Sequence, residues 1–134
     1  MSNTYLPFIF KQFTITQNCA AMKVGTDGVL LGAWAPIPIE SKHILDIGTG
    51  TGLIALQCAQ RHKYATIDAV EIDPDAVKDC TENFNNSKWK RRLQLHPKSI
   101  QDFAQNTSTL YNAILTNPPY YTTETQSIAS SRNI

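Results

Sequence analysis

The sequence predicts an α/β fold whose parallel sheet is doubly wound in the Rossmann-like manner, and three observations carry that prediction. From His43 onward, short apolar runs alternate with helical segments, the repeating β-α unit of a parallel sheet. The first run hands over to its helix through three glycines, Gly48, Gly50 and Gly52. Asp73-Pro74 opens a later helix, with an N-cap residue followed by proline in the first turn. Crossovers between parallel strands are right-handed, which makes the sheet doubly wound.

Each element follows from local chemistry. Met1–Thr16 alternates apolar and polar residues from Ile9 to Thr16, which suggests a short hairpin or extended arm. Asn18–Trp34 reads mostly as helix, interrupted at Gly25-Thr26-Asp27-Gly28, so a loop followed by a short helix is expected. Met22, Val29, Leu30 and Ala33 are available for its buried face, and Pro36 and Pro38 end it. Strands are then expected at His43–Ile47, Thr66–Ile72, Leu93–His96 and Tyr111–Thr116. Helices are expected at Leu53–Gln60, Asp75–Asn85 and Ile100–Gln105, and Pro118-Pro119 stops the last strand.

Composition sets wide bounds. The chain has 134 residues, room for one domain with a core and not for two. A hydrophobic fraction of 42% with 17% charged residues is that of an ordinary soluble domain. With a net charge of +1, nucleic-acid binding would have to rest on a local patch. Cys19, Cys58 and Cys80 lack zinc-type spacing, so no metal site is expected and a reduced, cytoplasmic protein is the natural reading. No apolar run reaches the roughly 18–20 residues of a membrane span.

Asp46-Ile47-Gly48-Thr49-Gly50-Thr51-Gly52-Leu53 stands where a strand passes to a helix, the place at which such sheets hold ligands. Glycines there permit unusual backbone angles and let a ligand lie against the main chain. The spacing is GxGxG, whereas the dinucleotide fingerprint would want Gly or Ala at Leu53. A ligand-free turn is equally compatible with these residues alone. Glu71, at the end of the second strand and followed by Ile72-Asp73-Pro74, can accept hydrogen bonds from both ribose hydroxyls of an adenosine. The alternative is that it caps the strand end. Asp46 is expected to order the turn by accepting backbone N–H bonds, with a reach toward the amino-acid end of a cofactor.

Asn117-Pro118-Pro119-Tyr120 follows the fourth strand at once. Each proline holds the residue before it extended, giving a stiff backbone with a fixed Pro118 carbonyl. Such a device suits a nitrogen whose lone pair is delocalised into a ring or an amide. The Asn117 side-chain oxygen and the Pro118 carbonyl would each accept one N–H and align the nitrogen for attack on a methyl group. Tyr120 offers a flat face for a stacked base. Alone, these four residues also suit a polyproline-like loop.

Together the two motifs resemble class I S-adenosylmethionine-dependent methyltransferases of the NPPY type, which act on adenine N6 or glutamine N5. Phe10-Lys11-Gln12-Phe13, followed by Cys19 through Trp34, is similar to the bacterial tRNA(Val) adenine-37 N6-methyltransferases. The likeness runs from about Phe10 through Tyr121. It implies a Rossmann-like methyltransferase sheet with S-adenosyl-L-methionine as cofactor and tRNA as substrate. Asp46, Gly48, Thr49, Gly50, Gly52, Leu53, Glu71 and Ile72 would hold the cofactor, and Thr26-Asp27 would line its methionine end. Asn117, Pro118, Pro119 and Tyr120 would hold the target adenine. Where relatives often carry an acidic residue past the third strand for the cofactor's adenine, this chain has Ser99 and Ile100, with Asp102 further on.

The resemblance also implies roughly a hundred further residues in such a domain. The chain is therefore expected to hold an incomplete sheet, ordered 3-2-1-4, with an exposed fourth strand that invites self-association. Residues 1–40 would form a flanking segment, 41–121 the cofactor-binding core and 122–134 a polar, disordered tail. Lys88-Trp89-Lys90-Arg91-Arg92 reads as a solvated helix end with Trp89 turned inward, the alternative being contact with tRNA phosphates. No role is expected of His43, His62 or His96. The rival functions are a protein glutamine N5-methyltransferase, a non-catalytic cofactor binder and a nicotinamide dehydrogenase. The first usually has a helical domain ahead of the glycine turn, for which the 45 residues before Asp46 are too few. Leu53 and the NPPY run oppose the last.

Overall fold

The computed structural model describes residues 6–19 and 24–118 of the chain. Its elements, in order, are β1 (Phe8–Ile9), β2 (Thr14–Ile15), α1 (Thr26–Trp34), β3 (His43–Ile47), α2 (Leu53–Arg61), β4 (Thr66–Val70), α3 (Pro74–Asn86), β5 (Leu93–His96), α4 (Ile100–Asn106) and β6 (Ala113–Thr116). A turn of 3-10 helix, Lys90–Arg92, leads into β5. The hairpin β1-β2 is antiparallel, and the main sheet is parallel throughout with the order β5-β4-β3-β6. Counting only the four parallel strands, this is the expected 3-2-1-4. It is an α/β, Rossmann-like arrangement, with β3 central and flanked by β4 and β6.

Successive residues of a strand point to opposite faces, so the register sorts the side chains into two layers. Ile44, Ile67, Ala69 and Leu115 lie on one face with α2, α3 and the hairpin, forming the principal core. Ile15, Ile44, Leu56 and Ile67 are fully buried there. Each contributes on the order of 1.5–3 kcal/mol through removal from water. Leu45 and Val70 face the other way and meet only Phe103 of α4 as a third buried residue. Leu45's register partner on β6, Ile114, is 60% exposed.

Three boundaries differ from expectation. The second parallel strand ends at Val70 rather than Ile72, because the Glu71 carboxylate takes the backbone N–H groups of Ile72 and Asp73 out of the ladder. The fourth begins at Ala113 rather than Tyr111, since Asn112 turns its side chain back to cap the Lys42 and His43 N–H groups. Helix α1 begins inside the anticipated interruption, at Thr26, and buries a different face. Gly28 and Gly32 are buried against Leu53 and Gln57 of α2, while Leu30 and Ala33 are exposed and Val29 is half-buried. Small residues let the two helix axes approach, while Val29, as expected, and Leu31 pack half-buried against the core beside them. Met22 lies outside the described residues.

Two arginines tie helix ends. Arg61 donates to the Gly32 and Ala35 carbonyls at the end of α1. Arg92 donates to the Ala59, His62 and Ala65 carbonyls around the end of α2, satisfying groups that a helix terminus leaves open. Trp89 does turn inward, edge-on to Phe13 at 5.7 Å. No described helix is long and apolar enough to cross a membrane.

Candidate functional site

The carboxyl ends of β3, β4 and β5 carry the candidate cofactor residues. After Ile47 the chain reverses into α2 with Gly48, Gly50 and Gly52 at φ of 68°, 58° and 93°, left-handed angles that side chains resist. The turn is held at three heights. Gly48 and Thr49 both donate to the Val70 carbonyl, at 2.8 and 3.1 Å. Gly50 N–H donates to Glu71 Oε1 at 2.7 Å. Gly52 is pressed against α3, where an added Cβ would stand 2.7 Å from Phe84 and 3.1 Å from Cys80 Sγ. Above Gly48 and Gly50, by contrast, the space is open, so a ligand can lie directly on the main chain.

Glu71 makes more contacts than its expected role required. Besides Gly50, it accepts the N–H groups of Ile72 and Asp73 through Oε2, at 3.1 and 3.0 Å. It thus both caps its strand end and tethers the glycine turn. Beside it opens a cavity of about 170 Å³, bounded by Gly48, Glu71, Ile72, Lys98, Ser99 and Ile100. Ile72 is 68% exposed at its rim. Ser99 caps α4 by accepting the Asp102 N–H at 3.1 Å, so its hydroxyl proton remains free to donate into the cavity.

Asp46 lies beneath the turn, fully buried. The Thr49 hydroxyl donates to its Oδ2 at 2.7 Å, while Oδ1 has no hydrogen-bond partner among the described residues. Burial pushes its carboxyl from 3.8 up to about 7, opposed by the Thr49 hydroxyl and the Ala55 backbone N–H and assisted by the negative charge of Glu71. Asp46 therefore orders the turn chiefly through a side-chain hydroxyl, which the sequence reading did not single out. Asn83 of α3 was missed as well. Its amide accepts from Thr16 N–H and donates to the Thr16 and Thr51 carbonyls, fastening the hairpin to the glycine turn. One Asn among three near the end of an amphipathic helix gives no sequence signal for this.

At the end of β6, Asn117 lies beside α1, where a Cβ on Gly28 would sit 3.2 Å from its Nδ2 and 3.3 Å from Leu53 Cδ2. The first turn of α1, with Thr26 and Asp27, is thereby brought over the junction between the glycine turn and the last strand. Pro118 follows, whereas Pro119 and Tyr120 lie outside the described residues. Among the described residues no group of histidine, cysteine and carboxylate side chains is arranged to hold a metal ion.

A model of one protein family, the methyltransferase small domain, matches residues 24–134, most of the chain. The chain belongs to the methyltransferase small domain family. Its match spans α1, the glycine turn, Glu71 and Asn117. A tRNA1(Val) (adenine(37)-N6)-methyltransferase from Haemophilus influenzae is 56% identical over 115 residues, covering 85% of this chain and 49% of that protein. One from Cytophaga hutchinsonii is 46% identical over all 134 residues and 55% of its own length. The chain thus spans about half the length of the curated relatives it matches. The fold is shared with a Pyrococcus horikoshii protein, at a TM-score of 0.71 and 20% identity over 97% of this chain and 48% of that one. It is shared also with Pyrococcus horikoshii TYW2, solved with MeSAdo, at 0.63 and 20% identity over 76% and 39%.

Proposed function

We propose that this chain carries the cofactor-binding part of an S-adenosylmethionine-dependent methyltransferase that methylates N6 of adenine-37 in tRNA(Val), acting in the cytoplasm. The observation that carries the reading is the convergence, on one sheet edge, of an open glycine turn tethered to Glu71 with the Asn117-Pro118 end of β6. The identities to the tRNA methyltransferases of Haemophilus and Cytophaga support the substrate.

The residues fit the cofactor. Bare backbone at Gly48 and Gly50 faces open space, the adjoining cavity is lined by Ile72 and Ile100, and an unpartnered carboxylate oxygen lies below the turn. Glu71 would hold the ribose hydroxyls, Ile72 and Ile100 would flank the adenine, and Ser99 would donate to its edge. Thr26, Asp27 and Asp46 would meet the methionine end, with Thr49 and Leu53 shaping the turn. When bound, S-adenosylmethionine supplies an electrophilic methyl group on a sulfonium.

Asn117 Oδ1 and the Pro118 carbonyl would each accept one N–H of the target amine. That holds the nitrogen lone pair toward the methyl group, and the acceleration comes from alignment and electrostatics. Pro119 would keep the backbone rigid and Tyr120 would stack on the base. Gly28 leaves the room in which the Asn117 amide lies. Self-association through β6 belongs to the same proposal, because among the described residues its outer edge is unpaired and Ile114 is exposed. Light scattering over a concentration series reads it as a rising mass.

Two measurements test the reading. Calorimetric titration of the chain with S-adenosylmethionine should show binding, weakened at least tenfold by Glu71→Ala. Radiolabelled methyl transferred by the protein should appear at adenine N6 of unmodified tRNA, and Asn117→Ala should lower kcat by about a hundredfold, the scale of losing one positioned hydrogen-bonding group. Label at any other position would sink the assignment.

A further inference from the structure

A second cavity is larger than the one beside Glu71. A groove of about 530 Å³ lies between the β1-β2 hairpin and the end of α3, walled by Phe10, Lys11, Gln12, Thr16, Asn86 and Ser87. Its lining mixes amide and hydroxyl groups with the Phe10–Phe13 pair, stacked at 4.6 Å. It begins where the cofactor turn ends, since Asn83 bonds both Thr16 at the groove and Thr51 in the glycine turn.

The basic run borders this groove. Lys88 follows Ser87 directly and lies over the Trp89 ring, which itself meets Phe13 of the hairpin edge-on. Trp89 and Arg92 are turned into the protein, while Lys88, Lys90 and Arg91 remain exposed. Lys11 stands on the hairpin side, also exposed. None of these four cations has an ion-pair partner among the described residues, and the nearest exposed carboxylate on α3 is Glu82, one turn before Asn86. Lys11 in the lining, and three exposed cations in the run that follows Ser87 of the lining, form a local field for a polyanion with hydroxyl-bearing sugars on a chain of net charge +1.

We propose that this groove receives a stretch of substrate RNA backbone away from the reacting adenine. Lys11, Lys88, Lys90 and Arg91 would neutralise phosphates, while Gln12 and Asn86 would bond ribose or phosphate oxygens. The proposal rests on the methyltransferase reading only for the identity of the RNA. The charges specify no sequence, so the groove positions the RNA and leaves selection of the base to the Asn117 region.

The test uses the whole chain and a fluorescein-labelled, unmodified tRNA(Val) transcript, with anisotropy followed from 50 to 250 mM KCl. The triple variant Lys88→Glu, Lys90→Glu, Arg91→Glu should weaken binding at least tenfold at the lowest salt. It should also reduce the slope of log affinity against log salt by about 3, one for each lost phosphate contact. Lys11→Glu should act in the same direction, and cofactor affinity should stay within twofold. A reversal pair at the same end of the sheet but outside the groove lining, Lys42→Glu with Lys63→Glu, should change tRNA affinity less than twofold. Equal losses from that pair would show a general field and overturn the groove, as would an unchanged triple variant or a wild-type chain that binds no tRNA. Failure of the methyltransferase reading is read separately, as loss of cofactor binding with the tRNA effects intact.

Discussion

Two aspartates stand on opposite faces of the same sheet and are treated in opposite ways. Asp46 of β3 faces the principal core, fully buried, with one oxygen bonded to Thr49 and the other left without a partner. Asp68 of β4 faces the sparser layer under α4 and is fully satisfied. His96 Nε2 lies 2.9 Å from its Oδ1, and the Tyr111 hydroxyl donates to its Oδ2 at 2.7 Å. The densely packed face thus holds the incomplete polar site, and the thinly covered face holds the complete one. An unpaired buried oxygen is costly, and its place under the open glycine turn agrees with the cofactor proposed above. Asp68 joins β4, β5 and the approach to β6, which is a structural task.

Crowding over Asp46 can be broken most directly at Gly52. Alanine there would need both a left-handed φ of 93° and room that Phe84 and Cys80 occupy. Gly52→Ala should lower unfolding free energy by roughly 4 kcal/mol, summing backbone strain and overpacking. Urea denaturation measures it, and a loss below about 1 kcal/mol would mean that α3 yields easily.

The next effect is the charge state of Asp46. Its folded carboxyl is raised to about 7 by burial, above the unfolded value of 3.8. The native state therefore holds the proton more tightly, and the associated stability is present at low pH and lost as pH rises through about 7. Between pH 8 and pH 5 this gain should approach roughly 3 kcal/mol in the ligand-free protein, and Asp46→Asn should abolish it. Parallel pH profiles for the two proteins would show that Asp46 is ionised throughout, and the contrast with Asp68 would lose its electrostatic half.

How far the sequence foretold these features depends on whether they are local. The glycine turn, the Asp73-Pro74 start and the four parallel strands follow from neighbours in the chain, and all are present. The buried face of α1 was misread because hydrophobicity favoured Leu30 and Ala33, whereas close helix approach favoured Gly28 and Gly32. Arg92 sits in a run that reads as solvated, yet it satisfies carbonyls of a helix some thirty residues earlier. Asn83 spans hairpin and turn in the same non-local way. Around the candidate site, Glu71 and the glycines were legible from position alone. The Thr49 hydroxyl on Asp46 and the Gly28–Asn117 approach required the folded chain.

Tyr111→Phe probes the completed aspartate with the smallest change. It removes one hydroxyl donating to Asp68 and keeps the ring that lies 6.4 Å from Phe103. A hydrogen bond to a charged acceptor is worth about 1.5–3 kcal/mol when dry. Asp68 retains 13% side-chain exposure and its His96 contact, so water can replace part of the loss. The expected cost is therefore about 1 kcal/mol by denaturation, with S-adenosylmethionine affinity unchanged within twofold. If affinity fell tenfold instead, the pull of Tyr111 on the approach to β6 would be reaching Asn117 and the turn beside it. The two faces would then act as one coupled system, and the separation between a structural and a functional aspartate would fail.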